Sequence, residues 1–183
     1  MNNNLFNNEL SDELKDITLC FARDDIGEYL NIKLSDLVDW EQSKVDDYFN
    51  YDPALCDILF DDEELSNIID AGHYCPCYGG LFEDLNLLNE FITNGGDLDM
   101  LNTIMEDLTD LQEAIDIIDK GNYILYSGCH DNYDVGYYIY EEFYSFEYKD
   151  SPLSNYIDYE ALGRDQVMST SGFFSDKGYI EYI

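Results

Sequence analysis

Forty-one carboxylates face only eight Lys and Arg on this 183-residue chain, a formal net charge of -33. Most acids therefore have no cation to pair with, and any fold must carry a dense, uncompensated negative surface. A disordered polyanion would satisfy that demand, but it has little use for aromatic residues. This chain holds 17 Tyr, 10 Phe and one Trp, and 45% of it is hydrophobic. It must fold, and it must fold against its own repulsion.

The charge is spread along the chain. Residues 1–90 hold 22 acids and 4 bases, net -18, and residues 91–183 hold 19 acids and 4 bases, net -15. Such a field repels nucleic acid and anionic membrane and attracts basic clefts, the largest of which grip DNA or RNA. The bland alternative is generic acidity that keeps a protein soluble in high salt. That composition trims large aromatics, and this chain does not.

No basic region followed by an apolar run marks the amino terminus, and no apolar stretch approaches membrane-spanning length. The expectation is a soluble cytoplasmic protein. Five Cys, an odd number at uneven spacing, are poor evidence for a secreted disulfide framework.

Residues 1–16 read as a flexible leader, Asn-rich at its start. Strands are expected over Ile17–Ala22 and Glu28–Leu34, then a short helix capped by Ser35. Leu55–Phe60 fits a strand or a helix. Asp61–Ala71 reads as a helix and Gly72–Gly80 as a loop. Leu81, Leu85, Leu88 and Ile92 give a helix ended by Asn94, Gly95 and Gly96. Further helices are expected over Asp97–Met105 and from Thr109 to Gly121. Tyr123–Ser127 is a strand. Asp131–Tyr144 is rich in Tyr, yet Val135, Ile139 and Phe143 stand four apart, so it reads as a helix. Leu153–Gly163 is expected to be a short helix stopped by its Gly, and Gly172–Tyr182 a hairpin. The fold class is α+β, an elongated chain of three small units near 17–72, 73–120 and 121–183, the last dimerising.

Asp107, Asp110, Glu113, Asp116 and Asp119 recur three apart beside an apolar stripe. That spacing sets carboxylates about 5–6 Å apart on one helical side, of the same order as phosphates along a DNA strand. Asp131, Asp134, Glu141 and Glu142 extend the candidate mimic surface. Each row alone is equally the solvated face of an amphipathic helix. The scarcity of cations across the whole chain favours mimicry.

His73, Cys75 and Cys77, with Cys129 and His130, are weak zinc-ligand candidates because their spacing is C-x-C and both clusters are short. The plainer expectation is that Cys129 packs as a small hydrophobe. A Cys–His nucleophile at 129–130 is disfavoured, since adjacent residues seldom face each other and the negative field opposes a thiolate. No phosphate-cradling glycine motif occurs. The expectation is no enzyme and no cofactor.

Asn155–Asp165 (NYIDYEALGRD) closely resembles the signature of the ArdA antirestriction proteins. Tyr126–Val135 (YSGCHDNYDV) and Gly172–Tyr179 (GFFSDKGY) follow the family pattern in order, and LFEDLNLLNEF resembles its middle helix. The likeness is strong over about 121–183, weaker over 78–120 and faint before that. The Asn-rich leader and the GHYCPCYGG loop depart from the pattern. The resemblance implies a dimeric mimic of bent B-form DNA, carried by phages and mobile elements to evade host defence. It implies occupation of the DNA-binding cleft of type I restriction–modification enzymes, with the methyltransferase core as partner and no direct nucleic acid binding. It places Tyr156, Asp158, Tyr159, Glu160, Gly163, Arg164 and Asp165 near the subunit interface, and Leu162 joins them in the expected dimer contact. The alternative is an acidic inhibitor or adaptor that meets another nucleic-acid-binding defence complex through one local patch.

Overall fold

Thr18–Arg23 forms a strand, β1, at the centre of a three-stranded antiparallel sheet ordered β2-β1-β3, with β2 at Glu28–Lys33 and β3 at Cys56–Phe60. Leu19 stands opposite Ile32 on one side and Phe60 on the other. The computed structural model describes residues 5–23, 28–38, 40, 56–60, 67–69, 80–148 and 151–183. Within the ambiguous LCDILF run, Cys56–Phe60 is strand. The loop 72–79, with His73, Cys75 and Cys77, lies outside the described residues, as does most of the helix expected at 61–71. The chain divides into two compact units, Met1–Ile115 and Asp116–Ile183.

In the first unit a helical turn, α1 (Asp12–Lys15), precedes β1, and another, α2 (Leu34–Leu37), follows β2. The expected cap at Ser35 is displaced. Leu34 and Leu37 are buried three residues apart, and the Leu34 amide donates to the Ile17 carbonyl at 2.9 Å, so the turn starts as soon as the strand ends. Ser35 lies inside it, exposed.

Helix α3 (Gly80–Thr93) buries Leu81, Phe82, Leu85, Leu88 and Phe91. Its end follows from Gly95, at φ 83°, where the Gly95 amide bonds Ile92 and the Gly96 amide bonds Phe91. This paired closure needs a left-handed residue, which glycine adopts without strain. Asp97 caps α4 (Leu98–Ile104) by accepting from the Met100 amide at 3.0 Å. Asp110 does the same for α5 (Leu111–Lys120), accepting from Glu113 at 3.0 Å.

Residues 5–16 depart from the expected leader. Leu5, Phe6, Leu10 and Leu14 are all buried, and the segment is hydrogen-bonded to α3. The apolar residues scattered among its asparagines find a core, which composition alone does not reveal.

In the second unit β4 (Tyr123–Ser127) pairs with β6 (Gly178–Tyr182), which pairs with β5 (Ser171–Ser175), all antiparallel. The terminal hairpin is as expected. The expected 131–144 helix is also present: α6 (Asn132–Ile139) continues through a π-helical turn at Tyr140–Tyr144 into α7 (Ser145–Tyr148). Packing of Val135 and Ile139 against Tyr126, Cys129 and Tyr179 overrides the strand propensity of its tyrosines.

The helix expected at 153–163 is corrected. Pro152–Tyr156 is a 3-10 turn, Asp158 caps a new helix by accepting from the Ala161 amide, and α8 runs from Tyr159 to Ser169. Gly163 lies in its middle and does not stop it. Gly163 is needed because α8 crosses α6 there at backbone contact: a Cβ on Gly163 would meet the Asn132 carbonyl and lie 2.7 Å from the Gly136 nitrogen. Arg164 is consequently mid-helix, not at a helix end.

Candidate functional site

Carboxylates cover both units. Every Asp and Glu with a described side chain is exposed or half-buried. Burying an unpaired carboxylate is expensive, and with so few cations on the chain the surface is where acids can be accommodated. Ion pairs join Lys15 with Asp12 and Glu9, Lys33 with Asp16, Lys120 with Asp116, and Arg164 with Asp165.

The expected row on α5 is only partly one helical face. Glu113, Asp116 and Asp119 lie on the helix, Asp110 is its cap, and Asp107 precedes it by three residues. Asp107, Asp110, Glu113 and Asp119 are exposed. Asp116 is half-buried and pairs with Lys120 at 2.5 Å, so its charge is locally compensated. A row counted in acids alone leaves out that i,i+4 pair, because Lys120 stands at its end.

Asp131 and Asp134 also serve the backbone. Asp131 caps α6, accepting from the Asp134 amide at 2.9 Å, and Asp134 accepts from the His130 amide at 3.0 Å. Both carboxylates sit next to a helix N-terminus, a favourable place for an anion. Glu141 and Glu142 are exposed on the π-helical turn.

The 156–165 signature divides by role within this unit. Asp158 is the α8 cap, and Glu160 accepts from the Asn132 side chain at 3.2 Å. Tyr159 is a hub, its ring meeting Tyr133, Tyr137 and Tyr140 edge-on at 5.5, 5.4 and 5.5 Å. Desolvation raises its hydroxyl pKa, and the neighbouring tyrosines and Glu141 add to the shift. Leu162 packs on the core and Gly163 makes the helix crossing. Tyr156, Arg164 and Asp165 remain exposed. Arg164 and Asp165 are 3.7 Å apart.

Cys129 is buried in the core, as expected of a small hydrophobe, and its thiol is free. Burial pushes its pKa up, and Asp134 and Asp131 push the same way, so it is a poor nucleophile. Among the described residues no cluster of His, Cys, Asp or Glu is arranged to hold a metal ion. Among them, too, no helix is long and apolar enough to cross a membrane.

Tyr140, Tyr144, Tyr148, Leu153, Ile157 and Leu162 line an apolar cleft of about 320 Å³. The Tyr140 hydroxyl is buried without a hydrogen-bond partner. Sequence reasoning missed this cleft, because its lining is gathered from several separate elements.

The family model for antirestriction protein (ArdA) matches residues 8–181. The chain belongs to the ArdA family of antirestriction proteins. Comparison with curated proteins returns no match. The ArdA match spans the first unit as well as the second, including the stretch before residue 78 where the resemblance was faint. ArdA membership carries a general antirestriction, DNA-mimic role and engagement with restriction–modification systems. The acidic surface described above is chemically consistent with that role.

Proposed function

We propose that this ArdA protein inhibits by occupancy. Its carboxylates imitate backbone phosphates and fill the DNA-binding cleft of a type I restriction–modification methyltransferase core. The observation that supports this reading most is that the acids stay on the surface while so few of them have a cation in reach. Lys and Arg placed in a cleft to grip phosphates would meet carboxylates at comparable spacing, with release of counterions driving association. Asp107, Asp110, Glu113 and Asp119, with Asp131, Glu141 and Glu142, are the proposed contact groups. Asp116 and Asp134 contribute less, being half-buried and already engaged.

The reading includes a homodimer joined through the second unit. Two chains of -33 repel, so the contact must be apolar. The cleft lined by Tyr140 and Leu162 and the exposed Phe143, Phe146, Leu153 and Tyr156 of the same unit offer apolar area for it. A partner would also offer an acceptor to the Tyr140 hydroxyl. Arg164, exposed on α8, would offset acids at that contact. The three-unit row, with the first compact unit subdivided near residue 72, belongs to the same proposal, as does a phage or mobile-element origin in a bacterial cytoplasm. Small-angle scattering tests the row.

The deciding experiment is competition with duplex DNA for a purified type I methyltransferase core. Mutually exclusive binding is expected. Formation of a ternary complex of core, DNA and inhibitor would overturn the reading for that target. An acidic adaptor that uses one local patch would give that result.

A further inference from the structure

We infer that the face of α3 bearing Asn86 and Asn89 is a receptor for a peptide backbone, filled in cis by residues 5–11. The inference stands apart from the mimicry proposal and concerns how the first unit is held together.

The contact pattern is regular. Asn86 donates through Nδ2 to the Leu5 carbonyl at 2.7 Å and accepts through Oδ1 from the Asn7 amide at 2.8 Å. Asn89 donates to the Glu9 carbonyl at 3.1 Å and accepts from the Ser11 amide at 2.8 Å. Two carboxamides three residues apart on one helical face therefore serve residues 5, 7, 9 and 11. The served groups alternate, as a strand's do towards a neighbouring strand, although the segment bends at residues 5, 7 and 8. A carboxamide carries both a donor and an acceptor, so it can substitute for that strand's peptide group.

Side chains add to the grip. Phe6 meets Phe82 edge-on at 6.0 Å, and Leu5, Phe6 and Leu10 are buried. Asn89 is 1% exposed, although its type is mostly found at surfaces. Asn86 is also anchored to its own helix by a bond to the Phe82 carbonyl at 2.6 Å. At the far end the Leu5 amide donates to the Trp40 carbonyl at 2.9 Å. The strap thus ties α3 to the segment that follows α2. Beside it a cavity of about 560 Å³ opens, with Asn7, Asn8, Glu83 and Glu90 among its lining. The ArdA match begins at residue 8, within the strap.

Residue-resolved amide exchange on the full-length protein tests this. The Asn7 and Ser11 amides are expected to exchange at least about tenfold more slowly than in an unstructured chain. Asn86→Ala should release Asn7, and Asn89→Ala should release Ser11, each by about tenfold. A second arm uses the full chain with Leu5→Asp and Phe6→Asp, which ejects the strap and leaves both clamps intact. A synthetic peptide of residues 5–12 should bind that variant about tenfold more tightly than it binds the unaltered chain, whose groove is filled. Adding Asn89→Ala should abolish the gain. Unprotected Asn7 and Ser11 amides in the unaltered protein would overturn the inference, as would peptide binding indifferent to Asn89. If the double Asp variant loses its fold, exchange in the unaltered chain and in Asn86→Ala still decides.

Discussion

Gly136 and Gly163 meet backbone to backbone where α6 crosses α8. A Cβ on Gly136 would run into the Tyr159 carbonyl and lie 2.8 Å from the Gly163 nitrogen, and a Cβ on Gly163 would strike the Asn132 carbonyl. Neither neighbour is a side chain that can swing away. Gly136→Ala or Gly163→Ala should therefore force the helices apart and cost about 2–4 kcal/mol. Met168→Ala, at an exposed site on the same helix, should stay within about 0.5 kcal/mol. Urea unfolding followed by circular dichroism measures both. Equal stability of the two kinds of variant would contradict the crossing.

Tyr159 works through its ring more than its hydroxyl. Tyr159→Phe retains the three edge-on contacts and should change stability by less than about 1 kcal/mol. Tyr159→Ala removes them together with buried area and should cost about 2–3 kcal/mol. If the dimer proposal holds, sedimentation at micromolar concentration should show the Ala variant weakening association indirectly, while Tyr156→Ala weakens it with stability unchanged.

Asp110 separates charge from capping. Asp110→Asn keeps an oxygen for the Glu113 amide and should leave α5 intact. Asp110→Ala should cost about 1 kcal/mol. Both remove one exposed charge, so each should lower inhibition of the methyltransferase core by less than about twofold. Converting Asp107, Asp110, Glu113 and Asp119 to their amides together should lower it by about tenfold or more at low salt, with the difference shrinking as the Debye length falls to about 8 Å at physiological salt. Abolition of inhibition by any single amide would point instead to a discrete site.

Cys129 should resist alkylation near pH 8 in the native protein and react at least about tenfold faster in urea, as read by mass spectrometry of its peptide. Folding raises its pKa, burial being the leading cause. Its contribution to stability is therefore complete below the thiol's ordinary pKa. It declines as pH rises above that value, where the unfolded chain ionises and the folded one does not. Cys129→Ser should flatten that part of the stability–pH profile.

Much of this protein follows from local sequence. The apolar spacing of Leu81, Leu85 and Leu88 specifies α3, and the left-handed Gly95 ends it, because side-chain period and backbone strain act within a few residues. The hairpin at 171–182 and the caps at Asp97 and Asp131 are equally local. The charge imbalance determines that carboxylates stay outside, and the motif at 155–165 marks the ArdA family before any coordinates. Tertiary contact decided the rest. Gly163 reads as a stop from sequence, because only the approach of Gly136, 27 residues earlier, shows what a missing side chain makes room for. The amino-terminal segment reads as a leader because its partners Asn86 and Asn89 lie about 80 residues away. Asparagine side chains carry no periodic signal. What they bind is set by which backbone the fold brings within hydrogen-bond reach, and that is a property of the packed chain alone.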